Sequence, residues 1–203
     1  MKLGILGGTF DPPHLGHLEL ARAAQAHLNL DVVMFVPANK NPLKSKKSAT
    51  PARHRLKMVA AMLEDEPKML VSDVEISRGG PSYMVETLAD LQHAMPGDYW
   101  LILGSDSLNQ IHEWYQVDQL LRTTRLAVAT RPGSEFESKI DRLSSMVSRQ
   151  LDVIPMEPKD ISATEIRAEL AKGQVPDGIL HPRVQSYIKE HGLYQGNDAN
   201  LRR

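Results

Sequence analysis

Residues 2–17 read KLGILGGTFDPPHLGH, and the fold turns on how that stretch divides. Residues 2–7 form a short apolar run of buried-strand length, and from Leu15 the apolar residues recur with helical spacing. Residues 7–14 must make the turn. Two glycines after a strand let a ligand approach the backbone, because no Cβ stands in the way. The helix that follows aims free N–H groups and its positive dipole end into the same space, which suits a phosphate. The spacing is neither that of a P-loop nor the G-x-G-x-x-G fingerprint. Its own mark is H-x-G-H: His14 and His17 stand one helical turn apart, able to face one pocket, and Gly16 between them leaves room for a flat nucleotide. Taken singly, each histidine could be an incidental surface residue. An i, i+3 pair could also bind zinc, but no third ligand in an H-E-x-x-H pattern accompanies it.

Outward from this junction, short apolar runs alternate with longer amphipathic stretches, the pattern of a parallel sheet with crossover helices. Strands are predicted at 2–7, 32–36, 69–76, 99–103, 125–130 and 151–154. Helices are predicted at 15–28, 51–64, 162–172, 182–190 and from Ser82, as cap, to about residue 95. Leu20, Ala24 and Leu28 would line the first helix, and Ser134 with Glu137 signals another helix start. Residues 38–50, with Lys40, Lys44, Lys46 and Lys47 among Asn, Ser and Pro, read as a mobile basic loop. No repeat or long linker divides the chain, so residues 1–194 are expected to form one domain and 195–203 a flexible tail. The expected fold is α/β: a doubly wound, mostly parallel sheet with helices on both faces, which takes ligands at the carboxyl ends of its strands.

Composition narrows the partners. The 203 residues carry 24 basic and 25 acidic side chains, a net charge of -1, which speaks against a nucleic-acid binder or a polybasic membrane binder. Zero cysteines exclude a disulfide framework, a thiolate zinc finger, an iron–sulfur cluster and a cysteine nucleophile. Val32–Pro37 and Tyr99–Leu103 are the longest apolar runs, far short of a membrane helix, and residues 1–8 do not resemble a signal sequence. A cytoplasmic setting is expected.

A second helix start, ISATEIR at 161–167, answers the first. Ser162 and Glu165 make a capping box whatever the function. Ser162, Thr164 and Arg167 can also converge on an anion there, the hydroxyls donating and the guanidinium forking onto phosphate oxygens. Paired with the H-x-G-H turn, this would make a second clamp on one polyphosphate.

With both junctions in place, the chain resembles the nucleotidylyltransferase superfamily, and most closely its bacterial nicotinate mononucleotide adenylyltransferases. The two junctions carry the superfamily likeness. RGGPSYM at 78–84 with ETL at 86–88, GSDSL at 104–108, EWY at 113–115, RPG at 131–133 and LHPRV at 180–184 carry the likeness to that branch. The likeness spans residues 2–194. Two positions depart from the pattern: Leu43 stands where the family's basic loop often has histidine, and Met84 where it usually has threonine.

The resemblance implies a Rossmann-like fold whose C-terminal helices complete the ATP site. It implies adenylyl transfer from ATP, bringing Mg²⁺, to nicotinate mononucleotide, giving deamido-NAD and pyrophosphate, by a monomer or homodimer. By the same likeness Gly8, Thr9, Phe10, Gly104 and Ile161 line the ATP, with Asp106 on its ribose hydroxyls. His17 meets the α-phosphate, His14 its neighbours, and Arg167, Ser162 and Thr164 the β and γ groups. Lys44 closes over the site when its loop orders. Trp114 stacks on the pyridine ring, the backbone N–H groups of Met84, beside Tyr83, and of Tyr115 take the carboxylate, and Arg131 meets the mononucleotide phosphate. Such chemistry needs no general base, since the attacking phosphate, with second pKa about 6, is mostly ionised at neutral pH. It needs charge neutralised: two unit charges 4 Å apart at an effective dielectric of 20 repel by about 4 kcal/mol. Competing readings are nicotinamide mononucleotide as preferred acceptor, an ATP-sensing module without turnover and, more distantly, transfer to phosphopantetheine.

Overall fold

The computed structural model describes residues 1–43, 49–104, 107–108, 110–130, 150–156, 161–175 and 177–196. Its strands are β1 (Lys2–Gly8), β2 (Val32–Pro37), β3 (Met69–Val71), β4 (Asp98–Gly104), β5 (Arg125–Thr130) and β6 (Leu151–Pro155). They pair in the order β3-β2-β1-β4-β5-β6, every neighbouring pair parallel. Order reverses at β1, so the ligand crevice of this doubly wound fold lies above the carboxyl ends of β1 and β4. Register shows how it opens. β1 pairs with β4 only from Lys2↔Asp98 to Ile5↔Leu101. Leu6, Gly7 and Gly8 continue against β2, while Ile102, Leu103 and Gly104 continue against β5. The sheet splits there, and the gap is the crevice.

The helices are α1 (Leu15–Leu28), α2 (Ala52–Met62), α3 (Val74–Arg78), α4 (Met84–Ala94), α5 (Val117–Thr123), α6 (Ala163–Ala171) and α7 (Pro182–Glu190), with a 3₁₀ turn at Ile111–Glu113. Alternation along the strands builds two cores. Leu6, Val33, Phe35, Trp100, Ile102 and Ile154 pack with α1, α2, α6 and α7 on one face. Leu3, Ile5, Met34, Val36, Leu101, Leu103 and Val128 pack with α4 and α5 on the other. Among the described residues no helix is long and apolar enough to cross a membrane.

Three local expectations are corrected. The strand predicted over 69–76 stops at Val71, where its partner β2 runs out at the Phe35↔Val71 pair. Ser72 Oγ then accepts from the Val74 N–H at 3.3 Å and Asp73 bonds Ser77 at 2.8 Å, so the branched residues after it coil into α3. Ser82 does not cap α4, whose cap position is Tyr83. Its hydroxyl instead accepts from the Asn39 N–H at 2.9 Å. The fully buried stripe of α1 is Leu18, Ala21 and Ala24, with Leu20 and Leu28 only partly covered. The Ser134–Glu137 signal lies outside the described residues.

Candidate active site

Both helix starts reach the crevice. After Gly8 the chain passes through Phe10 in the left-handed region at φ 51°, a conformation in which the ring turns under the turn it belongs to. That ring is buried, and a Cβ on Gly8 would lie 2.9 Å from it. A Cβ on Gly7 would run into Met84 Cε. The two glycines thus make room for the protein's own side chains on both flanks of the crevice. Gly104 differs: a Cβ there would meet none of the described atoms within 4 Å.

His14 sits at the cap of α1 in extended backbone, and its ring stacks on that of His17 with centroids 3.6 Å apart. Phe10 meets the His17 ring edge-on at 4.9 Å. The His14 N–H donates to His17 Nδ1 at 3.2 Å. With Nδ1 accepting, the neutral His17 ring carries its proton on Nε2, where it is a donor. Burial pushes the His14 imidazole down to about 4, so that ring is neutral at neutral pH and acts as a hydrogen-bonding group rather than a cation. Among the described residues its Nδ1 and the Thr9 hydroxyl are buried without a hydrogen-bond partner, the kind of polar group that a ligand satisfies.

The second helix start lies against the first. Arg167 donates from Nη1 to the Asp11 carbonyl at 2.7 Å and from Nη2 to Thr164 Oγ1 at 3.1 Å. Two of its five N–H donors are so used. Ile161 Cδ1 stands 3.4 Å from where a Cβ on Gly16 would be. Ser162 caps α6 by accepting from the Glu165 N–H at 3.5 Å, the expected half of the capping box. His14, His17, Thr164 and Arg167 therefore gather around one turn.

On the other flank Met84 is the first residue of α4, so its N–H is one of the helix's unpaired donors. Tyr83 and Tyr115 bring their rings to 4.6 Å, which joins the start of α4 to the segment after the 3₁₀ turn. Trp114 is half-buried against the α4–α5 core. The remaining candidates, Lys44, Asp106 and Arg131, lie outside the described residues.

Residues 5–169 match the family model described as cytidylyltransferase-like. The chain belongs to that family. A Bordetella petrii protein named probable nicotinate-nucleotide adenylyltransferase is 40% identical over 198 residues, covering 96% of this chain and 99% of its own. A Dehalococcoides mccartyi protein of the same name is 37% identical over 199 residues, covering 96% and 97%. Plasmodium falciparum nicotinic acid mononucleotide adenylyltransferase complexed with NaAD has the same fold, with a TM-score of 0.77 and 22% identity over 95% of this chain and 97% of that one. The resemblance read from the motifs and the Rossmann-like fold are both borne out.

Two supports of this cytidylyltransferase-like site escaped the sequence reading. Asp11 accepts from the Tyr194 hydroxyl at 2.7 Å and from the Thr50 N–H at 3.3 Å, which ties the turn to the C-terminal segment. Arg55 lies fully buried beneath it. A signal for Arg55 did exist: it falls in the apolar stripe of α2 with Met58, Val59 and Met62, where a charge is out of place.

Proposed function

We propose that this enzyme transfers the adenylyl group of ATP to nicotinate mononucleotide, giving deamido-NAD and pyrophosphate, the activity for which its Bordetella and Dehalococcoides relatives are named. The observation that carries the reading is the meeting of the two helix starts, with the Arg167 guanidinium on the turn that holds the stacked histidines. One triphosphate can span them. A mononucleotide-phosphate oxygen attacks the α-phosphorus, the bond to the β-bridging oxygen breaks, and pyrophosphate leaves. Catalysis of such a step is positioning plus electrostatic stabilisation.

The Nε2–H of His17 donates to a non-bridging α-phosphate oxygen, where charge builds in the transition state. Neutral His14 and the Thr9 hydroxyl donate beside it. Arg167 uses its remaining donors on the β and γ groups, with Ser162 and Thr164. Magnesium arrives with ATP as part of the substrate. The side chains gathered here are imidazoles, hydroxyls and a guanidinium, and the Asp11 carboxylate is taken up by Tyr194 and Thr50, so phosphate oxygens and water would hold it. Asp106 takes the ribose hydroxyls, Lys44 the phosphates and Arg131 the mononucleotide phosphate.

Acceptor choice follows from the donors at the start of α4 and just after the 3₁₀ turn. The N–H groups of Met84 and Tyr115 suit a carboxylate. An amide would turn its own N–H₂ toward them, so the acid is preferred over nicotinamide mononucleotide. A cysteine-free chain also suits a reducing cytoplasm. The test is one incubation with ATP, Mg²⁺ and each mononucleotide, read by mass spectrometry. Deamido-NAD and pyrophosphate should form, faster than the amide product. No dinucleotide from either acceptor would overturn the reading.

A further inference from the structure

Arg55 donates three hydrogen bonds, all to backbone carbonyls: Nη1 to Thr9 at 2.6 Å, Nε to Thr50 at 2.8 Å and Nη2 to Asn39 at 3.3 Å. Each carbonyl belongs to a different segment. Thr9 lies in the turn that bears the histidines, Asn39 in the loop after β2, and Thr50 just before α2. Asn39 carries the connection further. Its Nδ2 donates to the Gly80 carbonyl at 2.8 Å and its N–H to Ser82 Oγ at 2.9 Å, while the Ser82 N–H returns to the Lys40 carbonyl at 2.8 Å. Residues 80–82 lead directly into Tyr83 and Met84. Arg55 thus ties the histidine turn to the loop after β2, and Asn39 carries that tie on to residues 80–82 at the opposite flank of the crevice.

Packing alone does not explain an arginine here. The side chain is 1% exposed, and among the described residues it makes no ion pair. Burying a guanidinium costs more than burying an aliphatic chain of like length, which would fill the same space. What only arginine supplies is a rigid planar fork of donors that holds several acceptors in one geometry. A lysine has one nitrogen at the end of a flexible stem and cannot reach three separated carbonyls.

We propose that Arg55 is a positioning residue that sets the ATP turn and the mononucleotide loop in register, so that ordering one readies the other. The inference rests on the functional reading above, which makes these two loops the donor and acceptor sites.

The first test needs no variant. In the wild-type protein an unreactive methylene analogue of ATP, added alone, should slow hydrogen exchange of the amides of Gly80 and of 82–84 about fivefold or more, the scale of coupling between sites. Unchanged exchange there overturns the proposal. Arg55→Lys, which keeps the charge and loses the fork, should raise KM for ATP and for the mononucleotide together, each about tenfold, as expected for sub-ångström misplacement. It should also abolish the exchange effect. Met58→Ala, on the same buried face of α2, serves as a control for lost stability and should leave both KM values and the exchange effect unchanged. An Arg55→Lys protein with either KM at its wild-type value overturns the proposal. So does a Met58→Ala protein with the same joint rise. Failure of the functional reading looks different: wild-type protein binds the analogue yet makes no dinucleotide, and calorimetric Kd values for the two nucleotides then replace KM in the comparison.

Discussion

The Arg167 guanidinium donates to the Asp11 carbonyl at 2.7 Å, joining residues 156 positions apart in the chain. The same aspartate accepts from Tyr194 through its carboxylate, 183 positions away. The turn that bears His14 and His17 is therefore complete only after the C-terminal segment has packed back onto it. Loop-closure entropy must be met before these contacts form, and the α1, α6 and α7 core they accompany offsets it.

His17→Ala removes the Nε2–H donor while the Phe10 ring beside it stays packed. The expected result is a fall in kcat of about 10² to 10⁴, the range for one lost transition-state contact, with an unchanged circular-dichroism spectrum. Near-normal turnover at saturating substrate would remove His17 from the chemistry.

His14 should make stability depend on pH. Its folded value of about 4 lies below the unfolded value of 6.5, so between these limits the unfolded chain binds more protons. Stability therefore rises with pH across that window, is fully present above it, and is lost as pH falls through it. A shift of this size corresponds to about 3 kcal/mol. Urea unfolding of wild type and His14→Asn across the window checks it: the wild-type slope should exceed that of the variant, and parallel curves would refute the assignment.

Tyr194→Phe deletes the hydroxyl that Asp11 accepts from while keeping the ring. A hydrogen bond to a charged group is worth about 1.5 to 3 kcal/mol, and denaturant titration should show a loss in that range. KM for ATP should rise as well, because the turn loses its C-terminal tie. A stability loss with KM untouched would confine Tyr194 to folding.

Trp114→Ala should chiefly raise KM for the mononucleotide and leave ATP binding alone, since the residue stands on the α4–α5 flank and not on the histidine turn. Equal weakening of both substrates would make Trp114 a packing residue. Steady-state kinetics with each substrate varied in turn separates the two outcomes.

Much of this was legible in the chain itself. The α1 bounds, β5 and α7 follow from apolar period and stop signals, because those segments are long or strongly marked. β3 was misjudged, since a run of branched residues reads as strand until its neighbour ends and a Ser-Asp pair offers the backbone other partners. His14, His17 and Arg167 stand out in the sequence as candidates because imidazoles and a guanidinium at helix starts have a physical reason to be there, and the structure brings the three together. Arg55 and Tyr194 were not, because their partners are backbone and carboxylate groups far away in sequence.

What the sequence alone determined is the alternation of strands and helices, the two helix starts suited to anions, and the absence of cysteine chemistry. These depend on local period, caps and composition. Only the tertiary structure decided that the sheet parts between β1 and β4, that both helix starts converge on one turn, and that a buried arginine ties this turn to Asn39 and, through it, to residues 80–82. Such relations are made by parallel pairing and long-range hydrogen bonds, which join residues that no local pattern connects.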